Sequence, residues 1–148
     1  MNTKRLIIAC VVVFLFVFLY DWGLHGVVLK NAYMDSAQLW RDKDGFNSHF
    51  PVLVLGQLLV SVMFCVIYAL RRGTDAGPSQ GAGYGFLIGL LLASGPLVAF
   101  ATQPLPSKVV GGWIVGGIIL WIIAGAILGA IYRPASTTTV SSAQPAPA

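Results

Sequence analysis

Apolar side chains gather into four long runs, Leu6 to Leu29, Pro51 to Leu70, Ala82 to Ala101 and Val109 to Tyr132, separated by short polar connectors. About 20 helical residues, at 1.5 Å of rise each, cross a hydrocarbon core of roughly 30 Å, and every run meets that length. The pattern predicts an all-α membrane protein, a four-transmembrane-helix bundle with spans at about 6–29, 51–70, 82–101 and 109–132, forming one domain over 1–133.

The longest internal connector, Lys30 to Phe50, has a periodicity of its own. Leu29, Ala32, Tyr33, Ala37 and Trp40 recur at near-helical spacing opposite Lys30, Asn31, Asp35, Gln38 and Arg41, which predicts a short interfacial outer helix between spans 1 and 2. Tyr33 and Trp40 are expected to anchor it at headgroup level. Asp42-Lys43-Asp44-Gly45 imitates the start of a calcium loop, but the twelfth position, where an EF-hand needs a bidentate Glu, is Leu53, so an ordinary turn is expected. Asn47 or Ser48 then caps the second span, with Pro51 in its first turn.

Small residues recur inside the last two spans. Gly81, Gly85, Gly89 and Ala93 share one face of the third, and the fourth repeats the device with Gly112 and Gly116, then Gly125 and Gly129. Such strips let helices approach closely in lipid, so a glycine zipper between spans 3 and 4 is expected. Gly95-Pro96 should kink the third span, and Pro104-Leu105-Pro106 makes a stiff turn before the fourth. Gly73 to Gln80 reads as a polar linker, and Gly81-Ala82-Gly83-Tyr84-Gly85 lacks the strand and the Gly-Lys-Ser/Thr that a phosphate loop needs. Ser, Thr, Ala and Pro without charge make 134–148 a disordered cytoplasmic tail.

Composition agrees with lipid as the solvent, since 57% apolar and 9% charged residues could not coat a water-soluble domain. A net charge of +4 does not signal nucleic acid here, because the cations sit at span ends. Lys4, Arg5, Arg71, Arg72 and Arg133 fall on one side and Lys30, Arg41, Lys43 and Lys108 on the other; the pairs Lys4-Arg5 and Arg71-Arg72 lie flush against spans, which orients both termini to the cytoplasm. The basic start resembles a signal peptide, yet no small-x-small cleavage site follows Tyr20, so the first span is expected to be uncleaved. Too few apolar residues precede Cys10 for lipoprotein processing. Cys10 and Cys65 lie outside any oxidising compartment and read as small packing residues.

Asp21 is the only formal charge inside an apolar run, and an intramembrane carboxylate is expected to find a partner, bind a proton or serve a function. His25 lies one turn on and can hydrogen-bond it from the same face. If hydrocarbon begins near Leu6, Asp21 lies about 22 Å across, within roughly 8 Å of the far boundary. Gln57, Ser94 and Trp113 reach comparable depth on the other spans, and Gln57, Ser61 and Cys65 form an inward stripe on the second. A polar pocket of Asp21, His25, Gln57, Ser94 and Trp113 is the expectation. The structural reading has Asp21 held by His25, Gln57 or Trp113 to set helix register; the functional one makes it part of a proton-coupled or ligand-binding site.

Haem, metal and covalent chemistry find little support. His49 precedes its span, whereas haem ligands lie within facing spans. His25, His49 and Asp21 lack zinc-motif spacing, and Ser61 and Ser94 have no assignable base. No cofactor or metal is expected.

Asp21-x-x-x-His25-Gly26, then Leu29 and Tyr33, then Leu39-Trp40-Arg41, followed by Tyr84-Gly85 and a Pro-x-Pro turn before Trp113, resembles an uncharacterised family of small four-span bacterial inner-membrane proteins. The resemblance covers all but the tail and implies topology and a bacterial inner-membrane location without an activity. The leading expectation is a non-enzymatic accessory or scaffolding bundle in the lipid bilayer, self-associating through exposed glycine strips or joining a larger membrane complex. Its rival is a small transporter or ligand-binding membrane protein with Asp21 and His25 as a protonatable pair. Asp21→Asn separates them: it should abolish the activity of a functional pair with the bundle still folded, or only lower the thermal stability of a scaffold, and co-purification of partners in mild detergent would tell most about the role.

Overall fold

Long stretches with few helix breakers and no water to hydrogen-bond the backbone leave helix as the only single-segment solution, and the chain takes it. The computed structural model describes residues 3–70 and 77–132. Helix α1 (Thr3–Gly23) widens into a π turn (Leu24–Val28), followed by α2 (Lys30–Met34), a 3-10 turn (Ala37–Leu39), α3 (Lys43–Leu70), α4 (Pro78–Thr102) and α5 (Ser107–Ile131). Four stretches, Thr3–Val28 and the helices α3, α4 and α5, are 26, 28, 25 and 25 residues long and apolar enough to cross a membrane. This is an all-α four-helix bundle and a multi-pass membrane protein. Its outer surface carries Ile7, Leu15, Leu19, Leu59, Leu87, Leu91 and Leu97, each more than half exposed, as suits a bundle solvated by acyl chains. Arg71, Arg72 and the tail 134–148 lie outside the described residues.

All four spanning helices start before their apolar runs, α3 and α4 by the most. The cap of α3 is neither Asn47 nor Ser48, and the segment 42–45 is not a free turn: the Asp42 carboxylate accepts the Gly45 N–H at 2.8 Å, and the Asp42 carbonyl accepts from Phe46. Pro51 therefore lies inside the helix rather than in its first turn. Polar residues 43–49 look like loop when read by hydropathy, yet a 28-residue helix of about 42 Å exceeds the hydrocarbon core and carries them into the headgroup zone. Phe46 and Phe50 brace this extension, with Phe50 edge-on to Phe18 of α1 at 6.3 Å. Asp42→Ala should lower stability by about 0.5–2 kcal/mol, as cap deletions do, in a thermal melt followed by circular dichroism. Helix α4 likewise begins at Pro78, inside the stretch read as linker.

The glycine strips are used, but not as one zipper. A β-carbon on Gly81 would collide with the Gly125 carbonyl and one on Gly85 with the Trp121 carbonyl, while one on Gly89 would sit 3.1 Å from the Ile118 Cα. Gly129 meets the Gly77 carbonyl in the same way, and Ala93 is buried on the same strip of α4. Gly112 and Gly116 instead receive the Leu29 and Leu24 side chains from the end of α1. The expectation that all these residues join spans 3 and 4 is corrected, and the reason is angular. Nine residues separate Gly116 from Gly125, which at about 100° per residue places them on opposite faces of α5. Helix α5 thus packs on α4 with one face and on α1 with the other. Because the strips are filled from within the chain, they are not exposed; the glycines that meet open space are Gly23, Gly56, Gly83, Gly95, Gly111 and Gly117.

The core lies toward the end where the chain enters and leaves. Phe64 of α3 packs against Tyr84 of α4 and Trp121 of α5 at ring-centroid distances of 4.8 Å each, and the Tyr84 hydroxyl donates to the Phe64 carbonyl at 2.8 Å. Val13, Val17, Leu120, Ala124 and Leu128 complete it. Cys65 is buried there beside Cys10, both as free thiols. Helix α4 runs unbroken through Gly95-Pro96. Pro106 ends the turn after it by offering its carbonyl to the Val109 and Val110 N–H groups.

Candidate functional site

The opposite end of the bundle is roofed by the α2 connector, and its polar side chains form two separate ties. In the first, the Gln57 amide on α3 donates to the Asp21 carboxylate on α1 at 2.8 Å. The second is a chain of three side chains through Tyr33. Trp113 on α5 can only donate, and its indole N–H lies 2.6 Å from the Tyr33 hydroxyl oxygen of α2. The same hydroxyl hydrogen-bonds His25 Nδ1, also 2.6 Å away, and donates that bond when the imidazole holds its proton on Nε2.

Aromatic packing reinforces the second tie. Tyr33 stacks on His25 at 5.9 Å and meets Trp40 edge-on at 5.1 Å, and Trp40 lies across Trp113 at 6.0 Å. The Trp40 indole donates to Ser36 Oγ at 2.9 Å, and buried Ser36 donates to the Ala32 carbonyl at 2.8 Å. Burial pushes the Tyr33 phenol above its ordinary value near 10, the Trp113 hydrogen bond pulls it back, and the Asp21 charge adds to the rise. Tyr33 and Trp40 therefore fold over this end of the bundle as its roof. The continuous interfacial helix is likewise corrected to a five-residue α2 and a 3-10 turn, divided at Asp35 and Ser36.

Four of the five expected pocket residues gather here, though not around one centre. Asp21 and His25 share no hydrogen bond. The π turn, closed by the Leu29 N–H on the Leu24 carbonyl at 2.8 Å, widens the helix and sends His25 toward α2 while Asp21 faces α3. Ser94 does not join at all: it is exposed and donates to the Leu91 carbonyl of its own helix. One residue beyond Ala93, it sits about 100° round α4 from the face that packs on α5. His49 is exposed and turns Nδ1 to the Gly45 carbonyl of its own helix. Among the described residues, no three His, Cys, Asp or Glu side chains converge on a point.

Two participants escape the sequence pattern. Tyr33 is the hub, and its place depends on the connector folding back. Tyr20 donates to the Gly116 carbonyl at 3.0 Å, tying α1 to α5 where a glycine leaves the backbone open.

Fold and site together define a multi-pass α-helical membrane bundle whose connector end is closed by hydrogen-bonded aromatic and amide side chains. No protein-family model, curated protein or solved structure matches the chain.

Proposed function

We propose that this chain is a non-enzymatic accessory or scaffolding bundle of a bacterial inner membrane, with both termini cytoplasmic and the α2 roof on the outer side. The observation that carries the reading is the hydrogen-bonded chain from Trp113 through Tyr33 to His25, which uses the polar side chains of the roof to hold three elements together. The Asp21–Gln57 bond does the same for α1 and α3. The charge pairs Lys4-Arg5 and Arg71-Arg72 support the orientation. Asp21→Asn tests the role: an amide still accepts from Gln57, so the bundle should stay folded and lose about 1 kcal/mol, the difference between a charge-assisted and a neutral hydrogen bond. A partner retained in mild detergent should be retained by the variant as well.

A small transporter or ligand-binding role is favoured by a different observation. Among the described residues nothing bonds the second Asp21 oxygen or His25 Nε2, so the carboxylate can take up a proton and both groups can meet a ligand. Proton flux into vesicles carrying the purified protein, present in wild type and abolished by Asp21→Asn with the fold intact, would establish this role and displace the scaffold.

A further inference from the structure

The interface of α1 and α3 contains more acceptors than donors. Gln57 uses its amide nitrogen on Asp21, and its Oε1 is buried without a hydrogen-bond partner. One turn deeper on the same face of α3, Ser61 has no exposed surface at all, and its Oγ is also buried without a partner. Asp21 brings a formal negative charge and a second oxygen that no described side chain bonds. A polar group left unpaired in a low-dielectric interior is unfavourable, and an unpaired charge is more so. Among the described residues Asp21 makes no ion pair, and His25 spends its Nδ1 on Tyr33 rather than on the carboxylate.

We propose that Asp21, Gln57 and Ser61 bind a hard monovalent cation of the sodium class between α1 and α3. The donor set is carboxylate, amide carbonyl and hydroxyl, all oxygen, which suits hard ions rather than thiophilic ones. Spacing agrees. Residues four apart on one helix face have β-carbons about 5–6 Å apart, so their oxygens can meet one ion at the roughly 2.3–2.6 Å typical of hard-cation ligands. Charge selects the valence: one carboxylate is neutralised by one monovalent ion, whereas a divalent ion would leave an excess positive charge in the bundle. The remaining positions of the ion's shell fall to water entering from the α2 end. A sodium site is independent of the scaffold role, because an accessory bundle and a transporter can each hold an ion.

The test compares melting of the purified full-length protein in detergent in sodium chloride and in choline chloride at equal ionic strength and pH 7.5. Sodium should raise the midpoint saturably, by roughly 5–10 °C at high occupancy. Asp21→Asn should abolish that rise. Ser61→Ala gives a readout that a packing role would not: removing an unpartnered hydroxyl should leave the choline midpoint unchanged or higher while weakening the sodium response several-fold. Thr102→Val, far along α4, should retain the full response. Equal wild-type midpoints in the two salts, a sodium response that survives Asp21→Asn, or a Ser61→Ala gain of the same size in both salts would overturn the proposal. So would a midpoint that follows pH alone, since a proton would then be the occupant.

Discussion

Gly85→Leu is expected to abolish the monodisperse folded protein in detergent, a larger effect than the loss of any single hydrogen bond in the bundle. A β-carbon at this position would overlap the Trp121 carbonyl oxygen and lie 2.7 Å from its carbon and 3.1 Å from the Ile122 Cα. Those atoms are backbone and cannot swing aside as a flexible side chain would. The α4 and α5 axes would have to separate, and the Gly81–Gly125 approach and the Phe64–Tyr84–Trp121 ring cluster would open with them. Overpacking by a methyl or two already costs about 1–3 kcal/mol in a core, and leucine adds far more bulk. In lipid no hydrophobic force pulls helices together, so lost van der Waals contact is not recovered elsewhere. Gly83→Ala is the matched control. Nothing lies within 4 Å of its added carbon, and it should be neutral or stabilising by up to about 1 kcal/mol through helix propensity. Size-exclusion profiles and circular-dichroism melts of the two variants should diverge sharply.

Tyr33→Phe should have the next largest effect, because one oxygen serves two partners. Its removal leaves the Trp113 N–H and His25 Nδ1 without their bonds while keeping the ring that stacks on His25 and Trp40. A buried polar group stripped of its partner costs about 1–3 kcal/mol, and because these two are half-buried the expected total is also about 1–3 kcal/mol. Tryptophan fluorescence reports on Trp40 and Trp113 and should show the roof loosening before the bundle melts. The same tie has a pH dependence of known sign. Burial raises the Tyr33 phenol above its ordinary value near 10, so the folded state holds that proton more tightly than the unfolded chain does. Its contribution is fully present below about 10 and is lost as pH climbs through the raised value. The wild-type fluorescence transition at alkaline pH should be diminished in Tyr33→Phe.

Hydropathy alone located the four spans within a few residues at most ends, because helix is the one backbone solution a single segment has in hydrocarbon. It failed at the start of α3, where the helix continues into the headgroup zone with polar side chains, and only the Asp42 cap marks the true beginning. The Asp21–Gln57 contact was legible from depth, since a lone intramembrane acid needs a partner at its own level. Ser94 shares that level and still points outward. Depth counts residues along an axis and says nothing of rotation about it. The opposite facing of Gly116 and Gly125 was available from the helical repeat. The hub role of Tyr33 was not, because it depends on a break in the connector at Asp35 and Ser36 that no periodicity marks.

The order of residues by itself determines that this is a membrane-crossing four-helix chain, that two of its helices can approach at backbone contact, and that one acid is placed where water is scarce. These follow from transfer free energy and from the absence of side chains at repeated positions, both local properties of the chain. Tertiary structure decides which faces meet: α5 between α4 and α1, His25 turned from Asp21 to Tyr33 by a π turn, and buried oxygens on Gln57 and Ser61 with no partner. Rotation and closure of helices depend on the sum of many weak contacts across the bundle, and that sum exists only once all four have packed.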